Sequence, residues 1–250
     1  MMSNYSIEYY ENTRKIYGNV YKDGTRVSEL DANKRGKLLG MEMEVALMRK
    51  PRGYNKNVDT LLPYLRDIHS DTTAGGRYSP EIVTRKLTKE EMYEVLPLLA
   101  KIGRHNVKNN YRAGVHIHIS HEWYKDSSHL ERMAYLFFKH PIVGRKIGYR
   151  PASGFNSDIS ELHTVLSRKG PFRNNIKGTN SRYLFRSVTP YGTSEFRMFN
   201  TTGSVTQLKR YIDDIFYLLE YTEKASFSDI DKLKGFKRSI LKRKHMKGFK

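Results

Sequence analysis

The chain has no cysteine. That excludes disulfides, thiol nucleophiles and cysteine-ligated zinc together. Acidic residues are scarce as well: 26 Asp and Glu stand against 45 Lys and Arg in 250 residues, a surplus of +19 at pH 7. No stretch approaches the roughly 18 consecutive apolar residues of a transmembrane helix, so none is expected. The opening residues, MMSNYSIEYYENTRK, lack an apolar stretch with a small-residue cleavage site, so no secretory leader is expected there. Neither a Gly-x-x-x-x-Gly-Lys-Ser/Thr loop nor a Gly-x-Gly-x-x-Gly turn is found, which leaves the two commonest nucleotide-binding loops without support. Without cysteine, and with no serine in a Gly-x-Ser-x-Gly elbow, acyl-enzyme chemistry has little basis. No helix-turn-helix pattern or aromatic RNP-like motif marks a sequence-specific nucleic-acid reader.

What is present is enough to build a core. Hydrophobic residues make up 38% of the chain, and 18 Tyr with 11 Phe would be a strange excess in a chain that never packs. The expectation is a globular, cytoplasmic, basic protein whose charge suits an acidic partner, nucleic acid or a phosphate-rich ligand. Nine of the Lys and Arg residues, and no acid, lie in 232–250. Much of the surplus therefore belongs to the C-terminal tail.

Residues 1–36 are polar and tyrosine-rich and form an N-terminal extension, 37–226 the main domain, and 227–250 a basic tail. LLGMEMEVALM (38–48) reads as a strand entering the core. Asp59 can cap a helix over 60–69, apolar at Leu61, Leu62, Leu65 and Ile68. EIVTRKL, after the loop DTTAGGRYSP, is a short strand. Thr88 and Glu91 form a capping box for a helix to about residue 105, with Pro97 implying a kink or two shorter helices. AGVHIHIS (113–120) alternates with period two, the mark of a half-buried strand. A helix over 129–140 follows, then a Gly-rich basic stretch, 141–177, with one short helix near 159–167. SRYLFRSVT (181–189) and SEFRMFN (194–200) have hairpin spacing across Pro190–Thr193, so they pair antiparallel. A long amphipathic helix ends near residue 224. Strands interrupted by helices, with at least one hairpin, give an α+β class with a mainly antiparallel sheet.

Side chains two apart on a strand share a face. Glu42 and Glu44 therefore lie together, opposite Met41, Met43 and Val45. His116 and His118 lie opposite Val115, Ile117 and Ile119; Glu195 and Arg197 lie opposite Phe196 and Met198; Glu81 opens a further strand. An antiparallel sheet often leaves one face to water, and a polar face needs no other reason. Residue choice argues for more. Glutamate is depleted in strands, and a merely wetted face would show Thr, Lys or Arg. Carboxylates supply hard oxygens for magnesium, imidazole adds a further ligand, and arginine grips phosphate in bidentate fashion. His-x-His alone also occurs in metal-dependent amidohydrolases, but no repeated strand–helix series follows it here. The remaining histidines (69, 105, 121, 129, 140, 163 and 245) read as solvated or capping residues on helix ends and loops.

Taken in order, Gly40-Met-Glu42-Met-Glu44, Glu81-Ile-Val-Thr, Gly114-Val-His116-Ile-His118 and Glu195-Phe-Arg197 with Thr201-Thr202 resemble the amidoligases of the carboxylate–amine ligase superfamily. That group is related to the glutamate–cysteine ligases and, more distantly, to glutamine synthetase, and is frequent in phage and bacterial genomes. The resemblance spans about residues 38–222. It implies a curved antiparallel sheet forming a funnel, with helices on the convex side and ATP with magnesium on the concave one. By similarity Glu42, Glu44, Glu81, His116 and Glu195 match metal ligands, with Glu42, Glu44 and Arg197 catalytic. Arg197 matches a phosphate contact and His118 a substrate or nucleotide contact. Arg186 is a second phosphate contact on charge and position alone. The implied reaction is an ATP-driven amide or isopeptide bond formed through an acyl phosphate, on substrates that include peptides or proteins. The family often carries Asp-Gly-Ser where this chain has Asp71-Thr72-Thr73. The segment 141–177 has no family signature, and the basic tail lies outside the resemblance.

Two other readings stay open. The charge suits a nucleic-acid-binding or virion-associated protein that retains the fold, with binding that falls steeply with salt. Residues 229–250, with apolar positions about one helical turn apart, suit an amphipathic helix on an anionic membrane, or a solvated tail that meets an acidic partner.

Overall fold

The computed structural model describes residues 16–17, 20–21, 26–27, 31, 34–49, 53–70, 74–107, 110, 112–140, 185–186 and 192–233. Two units divide the chain, one of Met1–Trp123 with Phe199–Lys209 and the other of Tyr124–Met198 with Arg210–Lys250.

In the first unit β1 (Ile16–Tyr17) and β2 (Val20–Tyr21) form a small antiparallel ladder. The main sheet is built from β3 (Leu39–Glu44), β4 (Leu65–Ser70), β5 (Pro80–Thr84) and β6 (Gly114–Ser120), in the order β4-β5-β3-β6. Every pairing among them is antiparallel. Two helices, α1 (Tyr54–Leu61) and α2 (Lys89–Gly103), complete the layer pair. The α+β class and the mainly antiparallel sheet expected from the sequence are what the chain adopts.

Alternation sets the faces. Register places Met43 beside Ile82 and Val115, Met41 beside Ile117, and Leu39 beside Ile119. All of them are buried. The buried side of α2, Met92, Val95, Leu96, Leu99 and Ala100, supplies the facing layer, with contacts to β3 and to α1. Each large apolar side chain so buried contributes about 1.5–3 kcal/mol. Because the period is two, that packing turns Glu42, Glu44, Glu81, His116 and His118 to the other face.

Helix α2 starts where the capping box put it. Thr88 Oγ1 accepts the Glu91 N–H at 3.1 Å, and Glu91 Oε2 accepts the Thr88 N–H at 2.7 Å. One continuous helix runs through Pro97, rather than two shorter ones. Pro97 sits on the exposed side, where a carbonyl that loses its amide partner is met by water.

The helix expected over 60–69 is not there. Helix α1 lies earlier, a 3-10 turn (Leu62–Tyr64) follows, and Leu65–Ser70 is an edge strand paired with β5. Asp59 lies inside α1 rather than at the start of a helix. Pro63 explains the difference. In a helix starting at Thr60 it would be the fourth residue, the first whose N–H is needed, and proline has none. In the 3-10 turn it falls in the first positions, where no donor is required.

The polar N-terminal extension contributes to this unit. Val27 and Asp31 are buried. Lys34 Nζ reaches Glu91 at 3.1 Å and the Lys86 carbonyl at 3.1 Å. The end of α2 meets the turn after β8 (Thr193–Asn200) so closely that a Cβ on Gly103 would lie 2.2 Å from the Thr202 carbonyl oxygen. Thr201 locks the same region: its Oγ1 donates to the Glu44 and Gly114 carbonyls, and its N–H bonds to the Ala113 carbonyl.

The second unit holds α3 (Ser127–Lys139), β7 (Phe185–Arg186), the greater part of β8, α4 (Val205–Lys224) from Arg210 onward, and α5 (Phe227–Asp231). β7 and β8 pair antiparallel, as the hairpin reading required. Phe137, Phe185 and Phe196 form an aromatic cluster with centroids 4.9–6.0 Å apart. His129, read from sequence as solvated or capping, is a buried joint instead. Its Nδ1 accepts the Lys125 N–H at 3.1 Å and its Nε2 donates to the Leu219 carbonyl at 2.9 Å. Burial and the nearby Arg132 charge hold it below the usual histidine value, against the raising effect of the Leu219 bond.

Among the described residues no helix is long and apolar enough to cross a membrane. The 141–177 region with its short helix, Asp71–Thr73, His163, and 234–250 of the tail lie outside the described residues, as do 181–184 and 187–189 of the seventh strand's expected span.

Candidate metal centre

The ionisable face of the first unit's sheet is organised by register. Glu42 stands directly opposite His116, and Gly40 opposite His118. On the other flank Glu44 stands opposite Glu81, and His69 opposite Glu81 in turn. Four neighbouring strands thus bring acids and imidazoles to one surface by pleat alone.

Glu42, Glu81 and His116 each offer one ligand atom, and these atoms all lie within 4.8 Å of one another. A hard cation holds its oxygen ligands at about 2.0–2.1 Å, so its ligands stand about 3–4 Å apart. Modest rotation of two carboxylates and a ring closes the set onto an ion. The donors fit a divalent metal: two anionic oxygens and an imidazole, from strands that fix their Cα positions.

Each member is held by a neighbour. His116 Nδ1 faces Glu42 Oε2 at 3.2 Å, and His118 Nε2 lies 3.1 Å from Glu42 Oε1. Gly40 contributes no side chain opposite His118, and that ring leans along the strand-to-strand diagonal onto Glu42. Burial pushes the Glu42 carboxyl up, but the hydrogen bonds and charge of His116 and His118 outweigh it and hold it well below the usual carboxylate range. It is an anion at any neutral pH.

Glu44 has a different position. It is buried, its Oε2 accepts the Gly114 N–H at 2.6 Å, and its Oε1 lies 3.4 Å from His116 Nε2. Both ring nitrogens of His116 thus face carboxylates, Nδ1 toward Glu42 and Nε2 toward Glu44. With a metal bound, Glu44 would keep the proton on Nε2 and leave Nδ1, on the Glu42 side, for the ion. Of the residues matched to metal ligands, Glu44 is thus placed as a support for His116, outside the Glu42–Glu81–His116 set.

Glu81 is held by a residue that the sequence reading passed over. His69 Nε2 lies 2.8 Å from Glu81 Oε2, and its Nδ1 lies 3.2 Å from Asp67 Oδ2. Two carboxylates, one at each ring nitrogen, call for a proton on both. The bonds to Asp67 and Glu81 push His69 up to about 10 against the opposing effect of burial. His69 was expected at the end of a helix; as part of edge strand β4 it belongs to the ionisable face. The signal was there in Asp67-Ile-His69, the same two-residue spacing as Glu42 and Glu44.

Glu195, Arg197 and Arg186 lie in the second unit. Glu195 is buried on β8 and ion-paired with Arg197 two residues along. Arg186 on β7 is opposite Glu195 in register. A carboxylate beside a guanidinium on one strand face is what the Glu-x-Arg spacing called for.

No protein-family model matches the chain, and no curated protein matches its sequence.

Proposed function

We propose that this chain is an ATP- and magnesium-dependent carboxylate–amine ligase, making an amide or isopeptide bond through an acyl phosphate. The observation that carries the reading is the convergence of Glu42, Glu81 and His116 on one sheet face, from three separate motifs whose order resembles the amidoligases. A carboxylate does not react with an amine at neutral pH because oxide is a poor leaving group. In the proposed reaction a substrate carboxylate oxygen attacks the γ-phosphorus of ATP and ADP departs. The amine nitrogen then attacks the acyl carbon, phosphate leaves with the bonding pair, and the nitrogen loses a proton. Such transfer relies on positioning and charge neutralisation more than on covalent help from the protein.

When bound, magnesium would supply positive charge against the phosphate oxygens. Glu42, Glu81 and His116 would hold it, Glu44 would fix the His116 tautomer, and His118 would keep Glu42 oriented. Glu195 as a further ligand, and Arg197 with Arg186 as phosphate contacts, rest on the resemblance and on their charge.

The test is release of ADP and phosphate from ATP with magnesium, across panels of carboxylates and amines. Turnover that needs one member of each panel, and that E42Q and E81Q abolish, is the expected result. ATP–magnesium affinity unchanged in both variants overturns the assignment.

A further inference from the structure

Each of the three candidate ligands has one neighbour that steadies it: His118 for Glu42, Glu44 for His116, and His69 for Glu81. The third support differs from the others. It sits on the edge strand, its side chain is 49% exposed, and it is itself held from behind by Asp67. A half-exposed histidine has water at hand and gains little from a fixed rotamer. This one is opposite Glu81 in the β4–β5 register and bonds a carboxylate at each ring nitrogen. The Glu81 side chain beneath it is only 13% exposed.

We propose that Asp67 and His69 are positioning residues of the metal centre, an Asp–His relay on β4 that fixes the rotation of the Glu81 carboxylate toward a divalent cation. The inference rests on the metal-site reading above and adds two residues to it. The physical reason is ordinary for such sites: a ligand carboxylate whose other contacts are fixed loses less freedom on binding, and removing an outer support typically weakens metal binding about 10–100-fold. Asp67 acts one step further out, by holding the ring plane through Nδ1. The relay reaches the site from β4, an edge strand that contributes no member of the Glu42–Glu81–His116 set.

The experiment is a Mn²⁺ titration of the full chain by isothermal calorimetry, with the melting temperature of the metal-depleted protein measured alongside. H69A is expected to weaken Mn²⁺ binding about tenfold or more. H69Q, whose amide nitrogen can donate to Glu81 from nearly the same place as Nε2, is expected to recover most of that loss. D67N, which leaves the ring in place, is expected to fall between. A purely structural role would lower the melting temperature of the metal-depleted protein and would not be rescued by H69Q. Affinity in H69A and D67N within twofold of the parent, while E42Q loses binding, overturns the relay and leaves the metal site standing. No Mn²⁺ binding by the parent, or E42Q binding like the parent, overturns the metal site and the relay with it. Should H69A fail to fold, D67N carries the same decision.

Discussion

Replacing Glu44 by glutamine separates a metal ligand from a support. The side chain is buried, with Oε2 2.6 Å from the Gly114 nitrogen and Oε1 3.4 Å from His116 Nε2. Glutamine keeps an oxygen for the Gly114 N–H, so that bond survives as a neutral one. Charge-assisted hydrogen bonds contribute about 1.5–3 kcal/mol and neutral ones about 0.5–1.5, so E44Q should lose about 1 kcal/mol of stability. The amide's NH₂ then points at His116 Nε2 and can only donate. Nε2 must then accept, which keeps the proton on Nδ1 against Glu42 and withholds that lone pair from an ion. Metal affinity should therefore drop about 10–100-fold although every candidate ligand is still present. E44A behaves differently, leaving a buried Gly114 N–H unpaired at about 1–3 kcal/mol. Urea unfolding gives the stabilities, Mn²⁺ calorimetry the affinities, and ¹⁵N chemical shifts of the histidine ring the tautomer. An E44Q protein that binds Mn²⁺ as tightly as the parent, with the parent's tautomer, refutes the reasoning.

Other parts of the structure give further expectations. His129 is held below its ordinary value of 6.5 in the folded state, so folded protein binds fewer protons there than unfolded protein does. Its contribution is complete above about pH 6.5 and is lost as pH falls through the lowered value, so stability should decline from pH 7 to pH 5. H129L should be less stable at pH 7 yet show a flatter decline, and an unchanged slope contradicts the buried-joint account. G103A forces a methyl carbon against the Thr202 carbonyl, 2.2 Å from where the Cβ would sit. Thermal unfolding should show about 1–3 kcal/mol of destabilisation, and neutrality would mean that the two segments are less tightly apposed. T88A removes the acceptor for the Glu91 N–H at the start of α2, and should cost about 1 kcal/mol by denaturant titration.

Period-two patterning made most of the sheet readable in advance. Met41 and Met43 on one side of β3 and Glu42 and Glu44 on the other could only pack one way round, and the same held for Val115, His116, Ile117 and His118. The start of α2 was written in Thr88 and Glu91. What could not be read locally depends on pairing partners. Leu65, Ile68 and their neighbours match a helical spacing, and only the ladder with β5, together with the missing donor of Pro63, makes them a strand. That error hid His69, because a histidine at a helix end suggests solvent whereas one opposite Glu81 belongs to the site. Glu44 was legible as an inward acid, but its commitment to Gly114, 70 residues away, is a contact that no sequence spacing announces. The Lys34 contact to Glu91 is of the same kind.

The most direct test of the central claim is an anomalous difference map from crystals of the full chain grown with Mn²⁺. The account predicts a peak at coordination distance from Glu42, Glu81 and His116, lost in crystals of E42Q. A map with Mn²⁺ bound only elsewhere, or with the parent's peak unaltered in E42Q, would contradict it.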